Sequence, residues 1–99
     1  MNRNDILATL KDSSGFLSSE FSVNKIAIFG SAAKEMMHLK SDVDIYVEFR
    51  SPIGFRFNRL VQYLESLLGH KVDVLTKEGV NNIRVTKIAE DIKQSMIYV

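Results

Sequence analysis

Between Asp42 and Phe49 the chain alternates without a break: Asp42, Asp44, Tyr46 and Glu48 fall on one parity, Val43, Ile45, Val47 and Phe49 on the other. A β-strand sends successive side chains to opposite faces, so the four apolar residues share a core-facing side and both aspartates share the opposite one. This segment constrains the fold more than any other, because slipping it by one residue would bury two carboxylates. It also poses a chemical question. Two like charges side by side on a strand repel, and something positive between them would relieve the repulsion. A hard divalent cation such as magnesium suits that place, since its preferred ligands are oxygens.

Gly30-Ser31 precedes the pair by a short interval, after the apolar run Ile26-Ala27-Ile28-Phe29. Glycine lets backbone approach a ligand closely. Ser31 is expected to cap a short helix reaching about Met37, whose free N–H groups favour an anion. A third carboxylate, Asp73, interrupts the apolar run Val72-Asp73-Val74-Leu75. Together these residues describe a site for phosphoryl or nucleotidyl transfer. Triphosphate would lie on Gly30-Ser31, and Asp42 and Asp44 would hold magnesium against it. Asp73 would complete a second metal site or accept the proton of the attacking hydroxyl. Lys34 would add positive charge, as would Lys40 or Arg50.

The remaining pattern supplies a scaffold. Asn4-Asp5 is expected to cap a first helix bearing Ile6, Leu7 and Leu10, and Phe16, Leu17 and Phe21 a short second turn. Lys25–Phe29 and Lys71–Leu75 read as strands. Phe57, Leu60, Val61, Leu64, Leu67 and Leu68 recur at helical spacing, with Gly69 as the stop. From Val80 to Met96 a last helix is expected, buried along Ile83, Ile88, Ile92 and Met96, with Ile97-Tyr98-Val99 finishing it against the core. The order helix, strand, helix, strand, helix, strand, helix implies an α/β layer architecture around a small sheet, whose strand order stays open. Glu48 is read as solvated, His38 and His70 as loop residues without catalytic work, and Phe55, Phe57, Tyr63, Met36 and Met37 as packing.

Composition narrows the classes. The chain has 99 residues, the size of one small domain, with 45% hydrophobic and 25% charged residues, as in a globular protein. The net charge of +1 gives no electrostatic case for nucleic acid or a membrane surface. Without cysteine there is no disulfide or thiolate site, and two histidines are too few for a histidine-rich zinc centre. No signal-like apolar segment opens the chain, since Asp5, Lys11 and Asp12 interrupt it, and no apolar stretch approaches a membrane span.

In their order and spacing, Gly30-Ser31, Asp42-Val43-Asp44 and Asp73 resemble the hallmark of minimal nucleotidyltransferases in the DNA polymerase beta-like superfamily. Ser41 before the first aspartate and the segment Tyr63–Thr76 extend the resemblance over nearly the whole chain. Family members often read Gly-Ser-Arg-Ala-Arg-Gly at the turn. Gly30-Ser31-Ala32-Ala33-Lys34-Glu35 lacks the first arginine, keeps a cation at Lys34 and carries Glu35 in place of the last glycine.

The resemblance implies a small mixed sheet flanked by helices, one domain over residues 1–99, and catalytic, metal-binding Asp42, Asp44 and Asp73. Gly30, Ser31 and Lys34 would bind the nucleotide. It implies magnesium as cofactor, ATP as donor and a cytoplasmic setting. Short members of the family are antitoxins paired with a HEPN-type ribonuclease toxin, to whose tyrosine they transfer AMP. The competing readings are an antitoxin that neutralises by contact alone and a transferase acting on a small hydroxylated molecule.

Overall fold

The computed structural model describes residues 2–34 and 42–99. The chain opens with α1 (Arg3–Asp12) and α2 (Ser14–Phe21). The first helix starts earlier than expected. Asn2 accepts the Asp5 backbone N–H at 2.9 Å, and the Asp5 carboxylate accepts the Asn2 N–H at 3.3 Å. This reciprocal capping box makes Asn2 the cap and places Asp5 inside the first turn. The second helix is a complete element of eight residues rather than a single turn.

There follow β1 (Val23–Phe29), α3 (Gly30–Ala33), β2 (Val43–Phe49), α4 (Arg56–Leu68), β3 (Val72–Thr76), α5 (Lys77–Asn81), α6 (Thr86–Ser95) and β4 (Ile97–Tyr98). The strands form one mixed sheet in the order β3-β2-β1-β4. β1 runs antiparallel to β2 and β4, whereas β2 and β3 are parallel. A parallel pair needs a crossover, and α4 supplies it. Gly69 ends α4 in the left-handed conformation at φ +67, as expected.

Helices cover both faces of the sheet. On one, Ile26, Ile28, Val43, Ile45 and Val47 pack with Ile6, Leu10, Leu17, Leu60, Leu64 and Leu68 of α1, α2 and α4. This is the core foreseen from the alternation. On the other, Ala27, Phe29 and Tyr46 pack with Val80, flanked by Leu75, Ile92 and Met96. The aspartates belong to this second face. Among the described residues its apolar cluster includes Tyr46 and Phe29, the register partner of Asp44.

The C-terminal expectation requires correction. Its single helix is two, α5 and α6, with residues 82–85 between them. α5 has its own cap, the Thr76 hydroxyl accepting the Gly79 N–H at 3.1 Å. Ile88 is 51% exposed, while Ile92 and Met96 pack on the second face. Ile97 and Tyr98 do not finish the helix: they pair as β4 with Ile28 and Ala27, and Val99 N–H donates to the Ile26 carbonyl at 3.0 Å. Backbone pairing of β1 outweighs extension of a helix that carries no buried residue.

Aromatic packing holds in part. Phe57 meets Phe49 edge-on at 6.5 Å, and Tyr63 lies against Phe16 and Phe21. Phe55, just before α4, is fully exposed and packs on none of the described residues. Met36, Met37 and His38 lie outside the described residues.

Candidate functional site

The sheet brings the motif together at the end where β1 finishes and β2 and β3 begin. Asp44 is the register partner of Phe29 across the antiparallel pair and of Asp73 across the parallel pair. Side chains directly opposite on adjacent strands share a face, so Asp44 and Asp73 stand side by side. Asp42 precedes β2 and is exposed, as is Asp73, whereas Asp44 is half-buried.

Gly30 turns the chain from β1 into α3 at φ +63. A Cβ there would run into the Asp44 carboxylate, with the carboxyl carbon only 3.3 Å away. Glycine is therefore needed twice, for its backbone angle and for the space Asp44 takes. The expectation that Ser31 caps the helix is corrected. α3 begins at Gly30, Phe29 is its cap position, and Ser31 lies inside the first turn. What Ser31 contributes to the site is its backbone N–H, which donates to Asp44.

Burial raises the Asp44 carboxyl above its ordinary pKa, and the charges of Asp73 and then Asp42 raise it further; the Ser31 N–H opposes them. This is the electrostatic signature expected of a carboxylate cluster short of positive charge. No group of three His, Cys, Asp or Glu side chains closes around a common point among the described residues. Magnesium does not need one, because it is usually held by one or two carboxylates together with substrate phosphates and water. The all-oxygen donor set fits that ion.

The expected cations are placed differently from one another. Lys34 is exposed just beyond α3. Arg50 sits at the opposite end of β2 and is committed elsewhere, which removes it from the site. Its guanidinium donates to the Ser18 hydroxyl at 2.7 Å, the Ser18 carbonyl at 2.6 Å and the Val23 carbonyl at 3.1 Å. Lys40 and Glu35 lie outside the described residues. Glu48 is not merely solvated: it accepts the Tyr46 hydroxyl at 2.8 Å. His70 follows the Gly69 stop and precedes Lys71, whose carbonyl accepts the Val43 N–H at 2.9 Å, at the same end of the sheet as the aspartates.

Two supporting residues escaped the sequence reading. The Ser95 hydroxyl accepts the Gly30 N–H at 3.2 Å, and Arg3 donates to the Ala33 carbonyl at 3.2 Å. They hold opposite ends of α3 from positions far away in sequence. No local pattern marks either one. A cavity of about 560 Å³ between α2 and the free part of β1 contains none of the motif residues.

Comparison with known proteins agrees with this geometry. A family model described as a nucleotidyltransferase domain matches residues 10–99. A candidate protein adenylyltransferase of Methanocaldococcus jannaschii, MJ1217, is 36% identical over 96 residues, covering 96% of this chain and 95% of its own. Protein adenylyltransferase MntA of Thermococcus cleftensis is 36% identical over 84 residues, covering 84% of this chain and 81% of its own. Among solved structures, a candidate minimal nucleotidyltransferase has a TM-score of 0.76 at 23% identity, covering 98% of this chain and 95% of its own. A toxin–antitoxin structure with AMP-PNP has a TM-score of 0.63 at 23% identity, covering 99% of this chain and 72% of its own. These two show likeness of fold. With residues 10–99 matched and adenylyltransferase relatives alike over most of their length, the chain belongs to the nucleotidyltransferase domain family.

Proposed function

We propose that this nucleotidyltransferase is a magnesium-dependent protein adenylyltransferase, moving AMP from ATP to a tyrosine hydroxyl of a partner HEPN-type ribonuclease toxin and so acting as its antitoxin. The carrying observation is the Asp44–Asp73 register pair beside the Gly30-Ser31 turn, with Asp44 raised in pKa by its neighbours. Support for ATP and a toxin partner comes from the relatives: one is named a protein adenylyltransferase, and one structural neighbour is a toxin–antitoxin with AMP-PNP. We assign the whole chain, residues 1–99, to one minimal domain working in the cytoplasm.

In this reading the phosphates lie on the Gly30-Ser31 turn, with the Ser31 hydroxyl as the donor left to them because the Gly30 and Ser31 N–H groups are engaged by Ser95 and Asp44. Lys34 adds charge from the end of α3. Asp42 and Asp44 would hold magnesium, with Asp73 available to a second ion. Bound there, the ion would offset charge on the phosphates and polarise the α-phosphoryl group. The acceptor oxygen attacks the α-phosphorus and forms the new P–O bond. The bond to the α–β bridging oxygen breaks, and pyrophosphate leaves with that electron pair. Where Asp73 is not engaged by a second ion, the hydroxyl proton passes to its carboxylate, which is exposed beside Asp44.

The test is the intact mass of the protein encoded beside this chain, before and after incubation with it, ATP and magnesium. The reading expects a gain of one or more AMP units on a tyrosine, absent with Asp42→Ala/Asp44→Ala. A second reading, neutralisation by contact, is favoured by one observation: buried Ala32 stands where family members often carry the first arginine of the turn. An unchanged mass in a complex that still forms and still neutralises would favour it.

A further inference from the structure

We infer that Ser95 is a positioning residue for nucleotide binding, a hydroxyl from the end of α6 that sets the Gly30-Ser31 turn against Asp44. The inference rests on the nucleotidyltransferase reading of that site and adds a residue outside the motif to it.

The reasoning begins with the size of α3. A helix of four residues, Gly30–Ala33, cannot stabilise itself, because nucleation is unfavourable and few internal bonds follow it. Its geometry must come from tertiary partners. At its start the Gly30 N–H, an orphan donor of the helix terminus, is taken by Ser95 Oγ at 3.2 Å. The Ser95 hydroxyl itself donates to the Ile92 carbonyl at 3.0 Å. With its hydrogen used there, the oxygen is left to accept from Gly30.

The next amide, Ser31 N–H, donates to Asp44. Consecutive N–H groups of the turn are thus committed to Ser95 and to Asp44, and together they orient the peptide between Gly30 and Ser31. Ser95 is itself held in place from both sides. It is the last residue of α6, and two residues later Ile97 pairs with Ile28 of the strand that leads into Gly30. The clamp thus closes on the strand–turn unit that it steadies. At the other end of α3, Arg3 holds the Ala33 carbonyl.

Loss of the hydroxyl would leave a half-buried N–H without this partner and free the turn to rotate away from the phosphate-binding geometry. One hydrogen bond of ordinary strength corresponds to roughly a fivefold change in an equilibrium constant. The experiment compares the full chain with Ser95→Ala, Ser95→Thr and Asp44→Asn. Three readouts are taken: KM for ATP and kcat with magnesium, melting temperature, and Gly30 amide hydrogen exchange by NMR.

For Ser95→Ala the expected result is a roughly fivefold rise in KM for ATP with kcat little changed and faster Gly30 exchange. Ser95→Thr restores both. A lower melting temperature with unchanged KM would overturn the inference and leave Ser95 a merely structural residue. So would Gly30 exchange equal to that of the unsubstituted chain. If the unsubstituted chain and Asp44→Asn both transfer nothing, the functional reading fails, and Gly30 exchange alone still decides whether the clamp exists.

Discussion

The carboxylate of Asp44 fills the space that a side chain on Gly30 would occupy. The Gly-Ser turn and the Asp-x-Asp strand are therefore one steric unit. Gly30→Ala combines a left-handed backbone with a collision, and something must shift. We expect a loss of about 1–3 kcal/mol in stability and a far larger proportional loss of transfer, because Asp44 is the group displaced. Urea denaturation and single-turnover kinetics on the same samples would separate the two effects.

Asp44 has a further consequence for metal-free protein. Its folded pKa is raised, so the folded state holds that proton more tightly than the unfolded chain does. The associated stability is full below the ordinary carboxylate value and is lost as pH rises through the folded value. Asp44→Asn should remove this dependence and raise the melting temperature by a few degrees at neutral pH without metal. Magnesium with ATP should stabilise the unsubstituted protein by mass action and leave Asp44→Asn little changed. Scanning calorimetry across pH 4–8, with and without ligand, checks both statements.

Tyr46, on the same face, is almost wholly buried and donates its hydroxyl to Glu48 at 2.8 Å. Burial first, then Glu48, pushes its phenol above the ordinary value. The unfolded chain ionises first as pH rises, so stability is present below about pH 10 and declines above it. Tyr46→Phe should lower stability by about 1 kcal/mol at neutral pH and flatten that alkaline decline. Denaturation at pH 8 and pH 11 tests the sign.

Arg50 should behave as a structural residue. Its guanidinium bridges α2 and β1 at the end of the sheet away from the aspartates. Arg50→Ala should reduce stability by about 1–2 kcal/mol while leaving KM for ATP unchanged. A raised KM with intact stability would return Arg50 to the nucleotide site.

The legible parts of this molecule are those written in local order. Val43, Ile45 and Val47 alternate with Asp44 and Tyr46, and that alternation assigns both the buried face and the face bearing the carboxylates. Leu60, Leu64 and Leu68 mark α4, and Gly69 stops it. What stayed hidden depends on distance. Ser95 reaches Gly30 across 65 positions, and Arg3 reaches Ala33 across 30. The break between α5 and α6 has no glycine or proline to announce it, and the helical spacing of Ile88, Ile92 and Met96 just beyond it reads as the continuation of one helix. β4 is two residues long and exists through pairing with β1, a relation that no window of sequence contains. Arg50 looked like a phosphate ligand because strand direction decides which end of β2 it occupies.

Transfer of the α-phosphorus is the central claim, and isotope position tests it most directly. The partner protein encoded beside this chain is incubated with the enzyme, magnesium and ATP labelled at either the α- or the γ-phosphorus. The account predicts that α-label becomes bound to the partner, that γ-label leaves as pyrophosphate, and that Asp44→Asn abolishes the incorporation. Incorporation of γ-label, or α-labelling that survives Asp44→Asn undiminished, would contradict it.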